Sequence, residues 1–238
     1  MAEKTGRVEG ITTRLLRRYY QLQPVTDNTC LLIGKSVHVR GKYIKSPMNL
    51  VFLPATDPTD KTYGSIPLRI EGHPDAAIYP IRFPHLVWYN PTVRNEAIRQ
   101  IKALPIASFV LVGFSKSGLG AWHIACSCPD RVAATVIFDA PVARETIPPW
   151  ETADFYPTPV SWLADLPVRQ VADFKAALPP THRLILISGA NFPDEMAALS
   201  HALMAANAKH TFLPRPHLKH HWNSGWIEDG LGVLTSHR

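Results

Sequence analysis

Phe109-Val110-Leu111-Val112-Gly113-Phe114-Ser115-Lys116-Ser117-Gly118-Leu119-Gly120-Ala121-Trp122 is the stretch from which the rest of the chain is read. Four apolar residues, bounded by small ones and followed by a small-residue helix start, predict a buried strand running straight into a helix. Ser115 occupies the corner between them. A side chain at the tip of so tight a turn needs a strained backbone, so the residues two before and two after it have to be small. Gly113 and Ser117 meet that condition.

Gly113-Phe114-Ser115-Lys116-Ser117-Gly118 resembles the nucleophile elbow of the α/β-hydrolase superfamily, a small-x-nucleophile-x-small pattern on a strand-to-helix turn. The commoner form has glycine where Ser117 stands. Lys116-Ser117 is also similar to the end of a phosphate-binding loop, but the spaced upstream glycine of that motif is missing. The resemblance implies an α/β-hydrolase fold: a mainly parallel, twisted sheet flanked by helices, with the functional residues in the order Ser, acid, His.

A chain of 238 residues suits a single domain over 1–238 with a sizeable core. A hydrophobic fraction of 46% and a charged fraction of 18% are those of a soluble globular protein. No stretch approaches the ~20 apolar residues of a membrane helix. The charged start Met1-Ala2-Glu3-Lys4 leads into no apolar segment, so no signal peptide, no membrane association and a cytoplasmic location are expected. The formal charge of +6 is spread along the chain; only Arg14, Arg17 and Arg18, beside Tyr19 and Tyr20, cluster. That is too little basic, aromatic-studded surface to predict a nucleic-acid partner. Cys30, Cys126 and Cys128 are odd in number, and the Cys126–Cys128 spacing is too short for a zinc knuckle, so buried free thiols are expected.

Residues 1–24 read as an N-terminal extension, with an amphipathic helix over Gly10–Leu22. Strands follow at Cys30–Gly34, Ser36–Arg40 and Met48–Leu53. In the α/β-hydrolases, the loop after the third strand and the residue after the nucleophile each give one backbone N–H to an oxyanion hole. The resemblance therefore places these donors at Ala55 or Thr56, just beyond Pro54, and at Lys116. The proline- and glycine-rich segment from Asp57 to Pro84 reads as a surface excursion. A strand is expected at His85–Tyr89, and Asn90-Pro91 opens a helix with Val93, Ala97, Ile98 and Ile101 on one face.

After the elbow, His123 lies on a helix as a core or surface residue, and Val132–Phe138 is a strongly apolar strand ending at Asp139. Strands alternating with helices imply parallel pairing. Between 141 and 167, six prolines are threaded with Trp150, Phe155, Tyr156 and Trp162, a short proline- and aromatic-rich excursion in place of a large cap. A helix over Val168–Leu178, a strand over Arg183–Gly189, a helix through Met196, Leu199 and Leu203, and a last strand at His210–Leu213 complete the sequence.

The resemblance places the acid on the loop after Gly189, where Asp194 is the nearest match. The alternate is Asp139, at a position some lipases of the superfamily use, and Glu195 comes third. Asp194 also reads simply as a helix N-cap. Three histidines, His217, His220 and His221, follow the last strand. No cysteine, carboxylate or His-Glu-x-x-His pattern accompanies them, which speaks against a metal site. His220-His221-Trp222 with Trp226 is similar to a segment of several bacterial esterases, which makes His220 the general base, with His221 and then His217 as alternates. The implied function is ester hydrolysis through an acyl-enzyme on Ser115, acting on a small-molecule ester or acyl substrate and needing no cofactor. Acyl transfer, or amide or peptide cleavage, would use the same residues, and a non-catalytic binding protein on the same fold is the second class of reading.

Overall fold

The computed structural model describes residues 22–25, 29–32, 48–55, 76–221 and 224–235. The chain divides into two compact units, Met1–Ile44 and Lys45–Arg238. In the first, β1 (Leu22–Val25) and β2 (Thr29–Leu32) pair antiparallel. Leu22, expected to close the N-terminal helix, is thus a strand residue; the rest of that helix and the expected strand Ser36–Arg40 lie outside the described residues.

The second unit holds a six-stranded parallel sheet. Its strands are β3 (Met48–Phe52), β4 (Ala76–Pro80), β5 (Phe109–Phe114), β6 (Val132–Phe138), β7 (Arg183–Ser188) and β8 (Thr211–Pro214), in the spatial order β4-β3-β5-β6-β7-β8. A parallel sheet is covered on both faces, so its inner strands read as continuous apolar runs. All six residues of β5 are buried. Side chains from alternate strand positions feed two apolar clusters, one containing Val51, Leu111 and Ile137, the other Phe52, Val112 and Phe138.

The helices are α1 (Pro91–Ala103), α2 (Lys116–Ser127), α3 (Pro159–Ala164), α4 (Val171–Ala177), α5 (Pro193–Ala205) and α6 (Trp226–Thr235). Asn90 caps α1 by accepting from the Val93 N–H at 3.0 Å, and Ala97 and Ile101 are its fully buried positions. The central helix α2 is buried from Ser117 to Ala125, with Trp122 stacked on Phe174 at 3.7 Å. Burying each such large side chain contributes about 1.5–3 kcal/mol, which is why this helix can hold its first turn rigidly against β5.

Two expectations are corrected. The segment read as pure excursion contains β4, which pairs with β3 from Met48↔Ala76 to Phe52↔Pro80 and forms the sheet edge. His85–Tyr89 is not a strand. Val87, Trp88 and Tyr89 are buried as core-filling coil, Tyr89 Oη donating to the Pro54 carbonyl at 2.9 Å and Trp88 Nε1 to the Trp150 carbonyl at 2.9 Å. The apolar run reflects side-chain burial, while the sheet edge is formed by β4.

The excursion at 141–167 is short and tied down. It carries a 3₁₀ turn at Thr152–Asp154 and α3, whose Thr158 and Ser161 form a reciprocal capping box. Trp162 and Tyr156 are buried, and Asp165 joins Tyr156 Oη at 2.7 Å and Arg94 at 2.6 Å. His123, read from the sequence as a core or surface residue, is buried on α2, its Nε2 2.9 Å from the Asp165 carbonyl.

Candidate active site

At the C-terminal end of β5 the chain turns abruptly into α2. Ser115 adopts φ 55° and ψ −124°, a left-handed conformation that L-residues avoid. Its neighbours explain how the turn is held. A Cβ on Gly113 would lie 2.4 Å from the Ser117 carbonyl oxygen, and one on Gly118 would lie 2.5 Å from the Ala140 Cβ. Ser117 is fully buried; its hydroxyl accepts from the Phe114 N–H at 2.8 Å and donates to the Phe114 carbonyl at 3.0 Å. The serine standing in the usual glycine position therefore laces the corner it occupies. On the neighbouring strand, the Ser115 N–H donates to the Phe138 carbonyl at 2.9 Å.

His220 reaches Ser115 from the segment after β8. Its Nε2 lies 3.0 Å from Ser115 Oγ and its Nδ1 2.7 Å from Asp139 Oδ2. Asp139 directly follows β6, is wholly buried and has φ 37°. Buried carboxylates need donors. The loop after β7 supplies them: Asp139 Oδ1 accepts from the Gly189 N–H at 2.8 Å and the Phe192 N–H at 3.0 Å, and Oδ2 from the Asn191 N–H at 3.4 Å. With Nδ1–H committed to Asp139, Nε2 is left as the acceptor facing the hydroxyl.

Asp194, the acid expected from the sequence, stands elsewhere. Asp194 lies in the first turn of α5 and is exposed, where a carboxylate complements the helix dipole, and it makes no hydrogen bond to His220. Nor does Asp194 cap that helix through its side chain, since the N-cap is Phe192. Glu195 faces Arg144 at 3.4 Å. The alternate, Asp139, is the carboxylate that meets His220. His217 is exposed, and neither it nor His221 bonds Ser115.

Aromatic rings fix the imidazole. Phe114 lies 4.6 Å and Phe192 5.3 Å from the His220 ring. Trp226 is fully buried, edge-on to Phe114 at 5.7 Å, and its Nε1 donates to the Lys219 carbonyl at 2.9 Å, anchoring α6 beside the histidine segment. Trp222 lies outside the described residues. Lys116 opens α2, so its N–H has no acceptor within the helix. Nothing among the described residues accepts from the Ala55 N–H. Among the described residues no three His, Cys, Asp or Glu side chains are grouped as a metal ion would require.

An imidazole bridging a buried, amide-held carboxylate and a strained serine hydroxyl can take up and return the hydroxyl proton. The six-stranded parallel sheet flanked by helices has the α/β-hydrolase fold. No protein-family model matches the sequence, and no curated relative matches it. Solved structures do. A ferulic acid esterase is 16% identical, with TM-score 0.54 over 82% of this chain and 85% of that one. Esterase B from Lactobacillus Rhamnosis is also 16% identical, with TM-score 0.53 over 82% of this chain and 76% of that one. Dipeptidyl peptidase 4 of Porphyromonas gingivalis is 14% identical, with TM-score 0.54 over 74% of this chain, which spans only 28% of its length. At these identities the likeness is one of fold. Among the described residues no helix is long and apolar enough to cross a membrane.

Proposed function

We propose that this chain is a serine hydrolase that cleaves a carboxylic ester through an acyl-enzyme on Ser115. The observation that carries this is the chain Ser115 Oγ to His220 Nε2 at 3.0 Å and His220 Nδ1 to Asp139 Oδ2 at 2.7 Å. His220 Nε2 takes the Ser115 proton as Oγ bonds to the carbonyl carbon and the carbonyl π pair moves onto oxygen. The resulting oxyanion accepts from the Lys116 N–H at the N-terminus of α2 and from the Ala55 N–H after β3, each such donor being worth about 2.7–4 kcal/mol in the transition state. As the C–O bond to the alcohol breaks, His220 returns the proton to the leaving oxygen. A water molecule then attacks the acyl-serine with His220 again as base, releasing the acid and restoring the hydroxyl. Asp139 keeps Nδ1 protonated and stabilises the imidazolium that forms.

The test is hydrolysis of short and medium p-nitrophenyl esters by wild type, Ser115→Ala and His220→Ala, with phosphonate labelling of Ser115 alongside. Wild-type turnover that falls by about a thousandfold or more in both variants is the expected result. A folded wild type that neither turns over nor is labelled at Ser115 would overturn the proposal.

A further inference from the structure

Contacts around Ser115 close into a ring. Lys116 follows it in the chain, and the Lys116 Nζ lies 5.5 Å from the centroid of the Trp88 ring. Trp88 Nε1 holds the Trp150 carbonyl at 2.9 Å. The Trp150 ring meets Phe192 edge-on at 6.4 Å, Phe192 meets His220 at 5.3 Å, and His220 returns to Ser115. Every side chain on this circuit apart from the reacting pair is aromatic, except that of Lys116.

That ammonium is unusual in three respects. It is half-buried; among the described residues no carboxylate lies within ion-pair distance of it; and it lies over an indole face. Burial draws it below the ordinary lysine range, with Glu151 opposing from farther away. The other cation of this region, Arg144, lies 5.8 Å from the Trp150 ring but already faces Glu195. A half-buried cation with no ion-pair partner among the described residues gains more from an arriving anion than a fully hydrated one does.

Building on the serine hydrolase reading, we propose that the substrate is an anionic ester, carrying a carboxylate a few bonds from the scissile carbonyl, and that Lys116 Nζ pairs with that carboxylate. The ammonium then selects substrate through its side chain while its backbone N–H serves the oxyanion. The aromatic ring of contacts lowers the local dielectric and strengthens the pairing.

Matched substrates test this. On the acyl side, p-nitrophenyl hemiglutarate is compared with p-nitrophenyl pentanoate; on the alcohol side, para-acetoxybenzoate with phenyl acetate. Wild type should favour the anionic member of one pair by at least about tenfold in kcat/KM, mostly through KM, since a remote pairing present in both ground and transition state acts there. Lys116→Met should collapse that ratio to about one, and Lys116→Arg, which keeps the charge, should retain most of it. Ser115-dependent turnover with no anionic preference in either pair, or a preference unchanged in Lys116→Met, would overturn the inference and leave the hydrolase reading standing. Absence of Ser115-dependent turnover of all four esters would overturn the inference, and the hydrolase reading falls with it only if phosphonate also fails to label Ser115.

Discussion

Outside the serine, the proposed mechanism leans most on Asp139. Its carboxylate is held by three backbone amides and touches His220, whereas Asp194 is exposed on a helix start. Asp139→Asn is expected to lower kcat by up to about ten-thousandfold, the scale on which the wrong imidazole tautomer disables such a chain, while Asp194→Asn should change it less than about threefold. Steady-state kinetics on one ester separates the two. Ser117 offers a second test at this scale. Ser117→Ala removes the buried hydroxyl that bonds both the N–H and the carbonyl of Phe114 and should cost about 1–3 kcal/mol in urea unfolding. Neither role is visible one residue at a time: Asp139 and His220 stand 81 positions apart, and nothing local marks them as partners.

At the scale of elements, α2 is clamped between β5, Tyr89 and the excursion. A Cβ at Gly120 would stand 2.3 Å from the Tyr89 ring, which is itself buried and bonded to Pro54. Gly120→Ala should therefore destabilise the protein by about 1–3 kcal/mol, the usual cost of overpacking, read as a lowered melting temperature. The excursion is fastened by Asp165, buried with Arg94 and Tyr156. Asp165→Asn leaves the Arg94 charge uncompensated and should cost about 3–5 kcal/mol by the same measurement. The elbow, β6, α1 and α5 were legible because their apolar periodicity, caps and turn residues act locally. β4 was not, because Ala76–Pro80 is short, half-buried edge strand without a strong apolar run. His85–Tyr89 had the run but uses it to fill the core.

For the whole molecule, buried histidines couple stability to pH. His123 is held at about 4, below its ordinary 6.5, first by burial and then by Arg94, and His182 is lowered by burial as well. Between pH 6.5 and 4 the unfolded chain binds protons that the folded protein refuses, so unfolding free energy is full above that window and falls as the pH drops through it. The urea-derived stability should decline by on the order of 2 kcal/mol from pH 7 to pH 4.5, and His123→Gln should flatten that slope.

From its residues alone, the chain determined the strand-to-helix corner at Ser115, the alternation that makes a parallel α/β sheet, and the histidine-rich segment that carries His220. These depend on neighbours in sequence: small residues permit a strained φ, apolar runs seek burial, and turn residues end elements. Only the tertiary structure decided which carboxylate meets His220. That choice depends on two strand ends lying side by side, so that the loop after β7 turns its amide groups onto Asp139 and carries Asp194 away on α5. The pairing of Lys116 with an indole face was set in the same way, by coil and excursion brought together from distant parts of the chain.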